Sequence, residues 1–333
     1  MMKTKSQTQH KKILITDRFA QDSFLYLKSQ PQFEVFQSEN PQNLPLEHLI
    51  NCHALIIRSR TRIDSDILKK AKNLQVIITA TSGFDHIDMD ATSNWGITVM
   101  HTPNANIESA AQLTWALILA CSHQLQPAMK MTQSGHWQRE KIIGLELFQK
   151  TLGIVGLGRI GGRVAQIAQA FQMNVIAYDP YIEDSQFKKF NVQKSSYHQV
   201  LQTSDVICFH VPKTQETELM LQKPQLDLMK PTAILVNTSR GSLLNENDLI
   251  QHIQQEKIRA VGLDVFQIEP LPEQSELLQF KNVMTTPHIG ANSEDAFYKA
   301  SQIAAYKLVS FFLDGSTSDT LPPRAAWYGA FRN

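Results

Sequence analysis

Cysteine is scarce in this sequence: the 333 residues contain three, at Cys52, Cys121 and Cys208. No two of them form a CxxC pair, which excludes a cysteine-based zinc motif and argues against a disulfide framework. We therefore expect a reducing, cytoplasmic environment and no metal centre. The sequence has no excess of one charge, since it contains 32 Lys and Arg residues and 31 Asp and Glu residues. This balance gives no indication of nucleic-acid or membrane partners.

Long apolar runs are absent as well. No run reaches the roughly 18 residues that a transmembrane helix needs. The start, Met1–Lys12, is polar and basic and lacks the apolar core of a signal peptide. Hydrophobic residues nevertheless make up 42% of the chain and charged residues 19%, which excludes global disorder. A chain of 333 residues is about the right length for two domains.

Short apolar runs alternate with helical patterns through most of the chain. Continuous apolar strands separated by helices indicate parallel sheets covered on both faces. One predicted series of strands is 12–16, 33–36, 54–57, 74–79 and 97–100; a second is 152–156, 174–178, 205–209, 233–237, 260–263 and 283–285. The second series has the doubly wound βαβ pattern.

Two long apolar helices, predicted at 108–125 and 294–312, bracket the second series. We therefore predict an α/β fold with two doubly wound parallel-sheet domains, one inserted into the other. Residues 1–106 and 298–333 would form a discontinuous, flavodoxin-like substrate domain, and 107–297 an inserted Rossmann domain. The end of the chain, from Asp314 through Trp327-Tyr328, is interpreted as an extended arm on its own domain or on a neighbouring subunit.

A glycine-rich motif, GLGRIG, follows the first strand of the second series and opens a helix. In such a motif Gly156 makes the tight turn, Gly158 lets a pyrophosphate approach the backbone, and Gly161 allows close packing of helix on strand. The helix begins at Arg159 and Ile160, where free N–H groups and the helix dipole favour a phosphate. The motif predicts a dinucleotide cofactor.

The next predicted strand leads into Asp179, 18 residues beyond Gly161, close to the spacing of about 20 residues that is typical of the ribose-binding acid. A carboxylate at this place accepts hydrogen bonds from the ribose hydroxyls and repels a 2′-phosphate. NAD is therefore predicted in preference to NADP. The alternative interpretation is a glycine-rich βα turn followed by a surface Asp.

Three side chains of complementary chemistry each follow a strand of the second series: Arg240, Glu269 and His288. Because the carboxyl ends of parallel strands line one crevice, we expect the three to converge. A histidine exchanges a hydroxyl proton near neutral pH, and a carboxylate beside it fixes its tautomer. An arginine binds a substrate carboxylate bidentately. Together they predict hydride transfer to or from an alcohol; taken singly, each could be structural or a surface group.

These motifs resemble those of the D-isomer-specific 2-hydroxyacid dehydrogenase family. The resemblance covers residues 12–312 and rests on GLGRIG, YDP, HVPKT, NTSRG, GLDVFQIEP and TPHIGA. It implies a bilobal NAD-dependent oxidoreductase of a small D-2-hydroxy acid, forming a homodimer or homotetramer. In that family's terms Arg240 binds the substrate carboxylate and keto oxygen, His288 is the acid–base, and Glu269 is its partner.

The resemblance also implies roles for residues around the reacting centre. Asp264 would hold the nicotinamide amide. The backbone N–H groups of Ser82 and Gly83 would bind the substrate carboxylate. Further residues implied to line the cofactor are Pro212, Thr214 and Thr238.

Within this family the chain is most similar to the 3-phosphoglycerate dehydrogenases, on the stretches IIRSRTRID, HTPNANIESAAQLTWA and GHWQREKIIGLELFQKTLGIVGLGRIG. The similarity implies oxidation of 3-phospho-D-glycerate to 3-phosphooxypyruvate in serine biosynthesis, by a short form without a regulatory domain. Arg58, at the end of an apolar strand, is the first candidate for binding the phosphate. Further basic candidates are Arg60, Arg62, Arg139 and Lys141. The sequence departs from the usual pattern at Gln112 and His101, where Glu and Asn are common.

Two other functions fit the same residues. A hydroxypyruvate, glyoxylate or D-lactate-type 2-oxoacid reductase shares the fold and would tolerate loss of Arg58. An NAD-sensing binding protein that recruits peptides would also retain the Arg–Glu–His set.

Overall fold

The computed structural model describes residues 10–38 and 40–321. The predicted arm at Trp327-Tyr328 and most of the polar start lie outside the described residues. The described chain forms two compact units. One contains the residues up to Asn106 and those from Ser293 onward, and the other is Ile107–Asn292.

Strands and helices alternate along both units. The strands are β1 (Lys11–Ile15), β2 (Phe33–Gln37), β3 (Ala54–Ile57), β4 (Val76–Thr79), β5 (Thr98–His101), β6 (Thr151–Val155), β7 (Asn174–Tyr178), β8 (Gln193–Lys194), β9 (Val206–Phe209), β10 (Ile234–Asn237), β11 (Ala260–Leu263) and β12 (Val283–Thr285). The α-helices are α1 (Gln21–Lys28), α2 (Leu46–Asn51), α3 (Ser65–Lys70), α4 (Met89–Asn94), α5 (Ile107–Ser122), α6 (Leu125–Gln133), α7 (Arg159–Ala170), α8 (Asp184–Lys189), α9 (Tyr197–Thr203), α10 (Lys223–Leu226), α11 (Glu246–Gln254) and α12 (Glu294–Asp314).

The first unit is built on a five-stranded parallel sheet in the order β2-β1-β3-β4-β5. Successive side chains of a strand point to opposite faces of the sheet, so each apolar strand contributes side chains to a core on either face. Ile13 and Ile56 pack with α12 on one face, and Leu14 and Leu55 pack on the other. In this order β1 and β3 are neighbours from which the chain builds outward in opposite directions. Such a switch point opens a crevice at the carboxyl ends of the strands.

The second unit is built on a seven-stranded parallel sheet in the order β12-β11-β10-β9-β6-β7-β8. Its switch point lies between β6 and β9, where Leu152 pairs with Val206. The strands are buried on both faces: Ile154 and Cys208 belong to one core, and Val155 to the other. The predicted fold class, two doubly wound parallel-sheet α/β units, is confirmed.

One predicted helix was wrong in its extent. The pattern over 108–125 forms α5 and α6, because Gln124 has a left-handed φ of 51° that ends one helix before the next begins. Trp115 fixes α5 in the core: its indole N–H donates to the carbonyl of Val164 at 3.2 Å and its ring stacks on Phe171. The two-residue strand β8, which is exposed, has no counterpart in the sequence prediction.

The C-terminal segment of the first unit starts with α12, so the predicted boundary at 298 falls inside a helix. Beyond α12 the chain returns to the sheet. Thr320 bridges Met100 in an antiparallel sense, and the Leu321 N–H donates to the Val99 carbonyl at 2.8 Å. No helix in the part of the chain that the structure describes is both long and apolar enough to span a membrane.

Candidate active site

A histidine–carboxylate pair lies at the carboxyl end of the second sheet. His288 follows β12, and its Nδ1 lies 2.7 Å from Oε2 of Glu269, in the loop after β11. An ionised carboxylate only accepts hydrogen bonds, so Nδ1 carries the proton and donates it. The other carboxylate oxygen of Glu269 accepts the backbone N–H of Phe266 at 3.0 Å. The ring is thereby oriented, and Nε2 is left as the atom that can exchange a proton.

The pair also changes the acidity of its members. The hydrogen bond to Glu269 raises the pKa of His288 above its usual value, against the effect of partial burial. Burial acts to raise the pKa of Glu269, but the hydrogen bonds from His288 and Phe266 outweigh it and the pKa lies below its usual value. The pair therefore favours an imidazolium beside a carboxylate, which suits a group that takes up a hydroxyl proton.

Arg240 lies in the loop after β10. Its backbone carbonyl accepts the side-chain amide of Asn237 at 2.8 Å, and one guanidinium nitrogen donates to the Ser239 carbonyl at 2.6 Å. The next residue, Gly241, approaches the Phe266 backbone so closely that a Cβ would lie 1.9 Å from its carbonyl carbon. This contact packs the Arg240 loop on the Glu269 loop. The positive charge of Arg240 acts to lower the pKa of both members of the pair; it adds to the shift of Glu269 and opposes the larger, upward shift of His288.

Asp264 is fully buried and binds the loop that carries His288. One oxygen accepts the Thr286 hydroxyl at 2.6 Å and the Ile289 N–H at 2.8 Å. The other accepts the Gly290 N–H at 2.8 Å. Both oxygens are thus engaged with protein donors, so within this structure Asp264 positions the loop around His288. Sequence reasoning connected this residue with the nicotinamide and did not predict its contact with the loop.

The glycine motif has a distinct geometry at each position. Gly156 has φ of 95°, and a Cβ there would lie 2.7 Å from the His210 carbonyl oxygen. A Cβ on Gly158 would meet no atom within 4 Å, so its face is open. A Cβ on Gly161 would lie 2.0 Å from the Gly156 oxygen. A turn, an open face and a tight helix contact are what a bound pyrophosphate requires. Helix α7 begins at Arg159, directly at the open face.

Asp179 follows β7 beside this motif. Its carboxylate accepts the Leu157 N–H at 2.9 Å and the Tyr181 N–H at 3.0 Å. Burial raises its pKa, and the hydrogen bond from Leu157 works against that shift. The carboxylate is therefore held in a fixed orientation at the edge of the glycine motif, as a ribose-binding acid must be.

The remaining predicted cofactor residues lie in loops after β9 and β10. The hydroxyl of Thr217 closes one loop: it accepts the Thr214 N–H at 2.8 Å and donates to the Pro212 carbonyl at 2.7 Å. The hydroxyls of Thr238 and Thr114 lie 2.8 Å apart, which ties the other loop to α5. Thr217 and Thr114 were missed at the sequence level. Thr217 lies in a local Thr-rich turn that could have indicated it, whereas Thr114 is remote in the chain and carries no such signal.

In the first unit, Ser82 and Gly83 form a half-buried turn after β4. The Ser82 carbonyl accepts the Nδ1–H of His101 at 2.9 Å, and the Gly83 carbonyl accepts the Thr81 hydroxyl at 2.6 Å. Toward the described residues, the backbone N–H groups of Ser82 and Gly83 donate no hydrogen bond. The turn is thus anchored through its carbonyls while its N–H groups remain available to an anion.

Of the predicted basic residues, Arg58 follows β3 and is half-buried over the ring of Phe297. Arg60 is paired with the buried Asp17, and Arg62 is exposed. Arg139 and Lys141 lie exposed in a short 3-10 helix of the second unit. In the described part of the chain, no group of three or more His, Cys, Asp or Glu side chains is placed to hold a metal ion.

Comparisons with known proteins agree with this geometry. Residues 115–290 match the model of the D-isomer specific 2-hydroxyacid dehydrogenase NAD binding domain. The chain is 39% identical over 298 residues to D-3-phosphoglycerate dehydrogenase of Methanocaldococcus jannaschii, across 89% of this chain and 56% of that protein. It therefore spans about half the length of the curated relatives it matches.

Solved structures are similar over nearly the whole chain. The TT0316 protein from Thermus thermophilus has a TM-score of 0.83 at 31% identity and matches 93% of this chain and 99% of its own. D-lactate dehydrogenase from Aquifex aeolicus, complexed with NAD and lactic acid, has a TM-score of 0.82 at 29% identity. The match covers 91% of this chain and 96% of that one. The predicted NAD cofactor is confirmed by the match to the NAD-binding domain. By that match the chain belongs to the D-isomer-specific 2-hydroxyacid dehydrogenase family.

Proposed function

We propose that this protein is an NAD-dependent dehydrogenase that oxidises 3-phospho-D-glycerate to 3-phosphooxypyruvate, a step of serine biosynthesis. The reaction class is carried by one observation: the 2.7 Å contact of His288 with Glu269, next to Arg240. The substrate is supported by the name of the Methanocaldococcus relative and by the arginines that follow strands of the first unit.

In the oxidation, Nε2 of a neutral His288 takes the proton of the C2 hydroxyl. The C2–H bond breaks as the C–O bond becomes a carbonyl, and the imidazolium that forms is stabilised by Glu269. The bound cofactor supplies the hydride acceptor. Arg240 binds the substrate carboxylate and polarises the oxygen on C2. In the reverse direction His288 returns its proton to the carbonyl oxygen.

The residues around the glycine motif are proposed to hold NAD. The open face at Gly158 and the N–H groups of Arg159 and Ile160 would bind the pyrophosphate, and Asp179 the ribose hydroxyls. The loops of Pro212, Thr214, Thr238 and Asp264 would line the nicotinamide side. In the first unit, the N–H groups of Ser82 and Gly83 would bind the substrate carboxylate, and Arg58 the phosphate.

An absorbance assay of NADH in both directions tests the assignment. The panel contains 3-phospho-D-glycerate, D-glycerate and D-lactate, with 3-phosphooxypyruvate and hydroxypyruvate for the reverse direction. A strong preference for the phosphorylated members supports the proposal. Equal or better use of the unphosphorylated acids would contradict it and favour a general 2-oxoacid reductase, which the likeness to the Aquifex D-lactate dehydrogenase supports. Tight NADH binding without turnover of any member would favour the NAD-sensing binding protein.

Variants test the assigned roles. His288→Ala is expected to lower kcat by about 10²–10⁴-fold, the usual contribution of general acid–base catalysis. Arg240→Ala should lower kcat/KM by a comparable factor. Both variants should bind NADH as the unmodified protein does, measured by fluorescence titration. Near-normal turnover of either variant would contradict the mechanism.

We also propose that the protein acts as a homodimer or homotetramer in the cytoplasm. The support is a series of large apolar side chains that are exposed on α6 and on the residues following it, a run of the chain that contact with a second subunit would cover. They include Leu125, Met129, Trp137, Ile143 and Phe148. Light scattering at several protein concentrations tests the oligomer, and a purely monomeric mass would contradict it.

A further inference from the structure

Two arginines share one aromatic ring at the switch point of the first unit. Arg18 follows β1 and Arg58 follows β3, the two neighbouring strands at which the strand order reverses. Their guanidinium carbons lie 5.3 Å and 5.0 Å from the ring centroid of Phe297, in α12. An aromatic ring holds a guanidinium in place without neutralising its charge. The ring therefore gathers two positive charges at the end of the sheet where ligands bind.

Among the described residues, neither of these arginines forms an ion pair with a carboxylate. Asp17, the buried acid nearby, is engaged by Arg60, whose Nε donates to Oδ2 at 3.1 Å. Arg18 and Arg58 make no ion pair with any residue that the structure describes. One terminal nitrogen of Arg58 is buried and has no hydrogen-bond partner there. A buried donor without an acceptor is costly, so the site is incomplete without an anion.

The charges also act on one another. Burial lowers the pKa of Arg58, the Asp17 carboxylate works against this shift, and the charges of Arg18 and Arg60 add to it. Like charges brought this close are repulsive unless a negative group lies between or beside them. An oxyanion with several acceptor oxygens would remove both the repulsion and the missing hydrogen bond.

A small cavity adjoins Arg18. It measures about 240 Å³ and is lined by Arg18, Gln37 and Phe297, with Gln21 at the start of α1. This is below the roughly 300–1,000 Å³ of pockets that hold drug-sized ligands, and suits a single small group. The side-chain amides of Gln21 and Gln37 also line this cavity beside Arg18, and that of Gln37 donates to the Asp17 carbonyl at 3.3 Å.

The spacing along the sheet matches a short phosphorylated acid. Ser82 and Gly83 follow β4, which is separated from β1 by β3. Neighbouring strands lie about 4.8 Å apart, so the ends of β4 and β1 are about 10 Å apart. Arg18 and Arg58 therefore stand on the side of the β4 turn toward which the far end of a three-carbon acid must be directed if its phosphate is to meet them.

We propose that Arg18, held on the Phe297 ring beside Arg58, determines specificity by binding the phosphate group of the substrate. This inference rests on the proposed function and adds a residue that no sequence motif singled out. Arg18 would contact the phosphate directly, and Phe297 would act as a positioning residue for both guanidinium groups.

The test compares Arg18→Gln and Phe297→Leu with Lys72→Gln, which removes an exposed positive charge of the same unit. KM and kcat are measured for 3-phosphooxypyruvate and for hydroxypyruvate. Arg18→Gln is expected to raise KM about 10–100-fold for the phosphorylated acid alone, the effect of losing a charge-assisted contact. Lys72→Gln should stay within about twofold. Phe297→Leu should raise KM for the phosphorylated acid with little change in kcat.

A second measurement does not depend on turnover. Binding of inorganic phosphate to the NADH-saturated protein is followed by calorimetry, so that phosphate sites in the nucleotide domain are already filled. Arg18→Gln should weaken this binding and Lys72→Gln should not. Equal phosphate affinity and equal KM in the two glutamine variants would overturn the inference, as would an equal rise in KM for both acids. If the unmodified protein does not use the phosphorylated acid but Arg18→Gln still loses phosphate, the anion site stands and the proposed function fails.

Discussion

The buried carboxylate of Asp264 holds the loop around His288, so Asp264→Asn should loosen that loop without changing the shape of the side chain. An Asn oxygen can still accept from the Thr286 hydroxyl and the Ile289 N–H. The amide nitrogen would then face the Gly290 N–H, now 2.8 Å from a carboxylate oxygen. Two donors cannot bind each other, so one charge-assisted hydrogen bond is lost and a buried N–H is left without an acceptor.

The magnitude follows from that single contact. A hydrogen bond to a charged group contributes about 1.5–3 kcal/mol, and an unsatisfied buried donor has a further cost, so we expect a loss of about 2–4 kcal/mol. In a domain of this size each kcal/mol moves Tm by about 2–4 °C, which predicts a fall of about 5–15 °C in the second unit. Displacement of His288 should also lower kcat by about 10–100-fold, because a small misplacement of a catalytic group greatly reduces the reaction rate.

Calorimetry and steady-state kinetics of the variant measure both effects. Asp184→Asn is the matched control, since Asp184 is an exposed carboxylate of the same unit paired with an exposed Lys194. The control should barely change Tm or kcat. A Tm of Asp264→Asn within about 2 °C of the unmodified protein would refute the reasoning, because one lost buried contact must exceed that shift.

Other changes test other parts of the structure. Glu269→Gln removes the carboxylate that raises the pKa of His288, so the rise of kcat/KM with pH in the oxidative direction should move to lower pH; an unmoved profile would show that Glu269 does not set this pKa. Asp179→Asn removes a charge that repels a 2′-phosphate, so the ratio of NADPH to NADH affinity should rise at least about tenfold, and an unchanged ratio in a titration would contradict that role. Trp115→Ala should cost about 3–5 kcal/mol by leaving a core cavity. The control Trp95→Ala removes a ring that is 48% exposed and should lower Tm in calorimetry by much less.

Features that depend on neighbouring residues in the chain could be predicted from the sequence. The strands Ala54–Ile57 and Asn174–Tyr178 have the predicted bounds because a buried parallel strand is a continuous apolar run. The break at Gln124 could not be predicted, because one left-handed residue leaves no trace in the hydrophobic period. The glycine motif was recognisable because the turn, the phosphate approach and the helix contact each exclude a side chain at a fixed position in the sequence.

Contacts between distant segments escaped prediction. The sequence places Asp264 directly after a buried strand, but it does not show which groups donate hydrogen bonds to the carboxylate oxygens. The grouping of Arg18, Arg58 and Phe297 joins three segments that only the sheet order and α12 bring together. Sequence reasoning found Arg58 because it ends an apolar strand, and it passed over Arg18, whose significance comes from the shared ring.

The left-handed backbone of His288, with φ of 53°, restricts which residues can replace it. Outside glycine, Asn and Asp adopt this conformation at the lowest cost, and alanine gains nothing from its side chain to offset the strain. His288→Asn is therefore the companion to His288→Ala, because Asn also removes the proton carrier and adopts this backbone conformation at low cost.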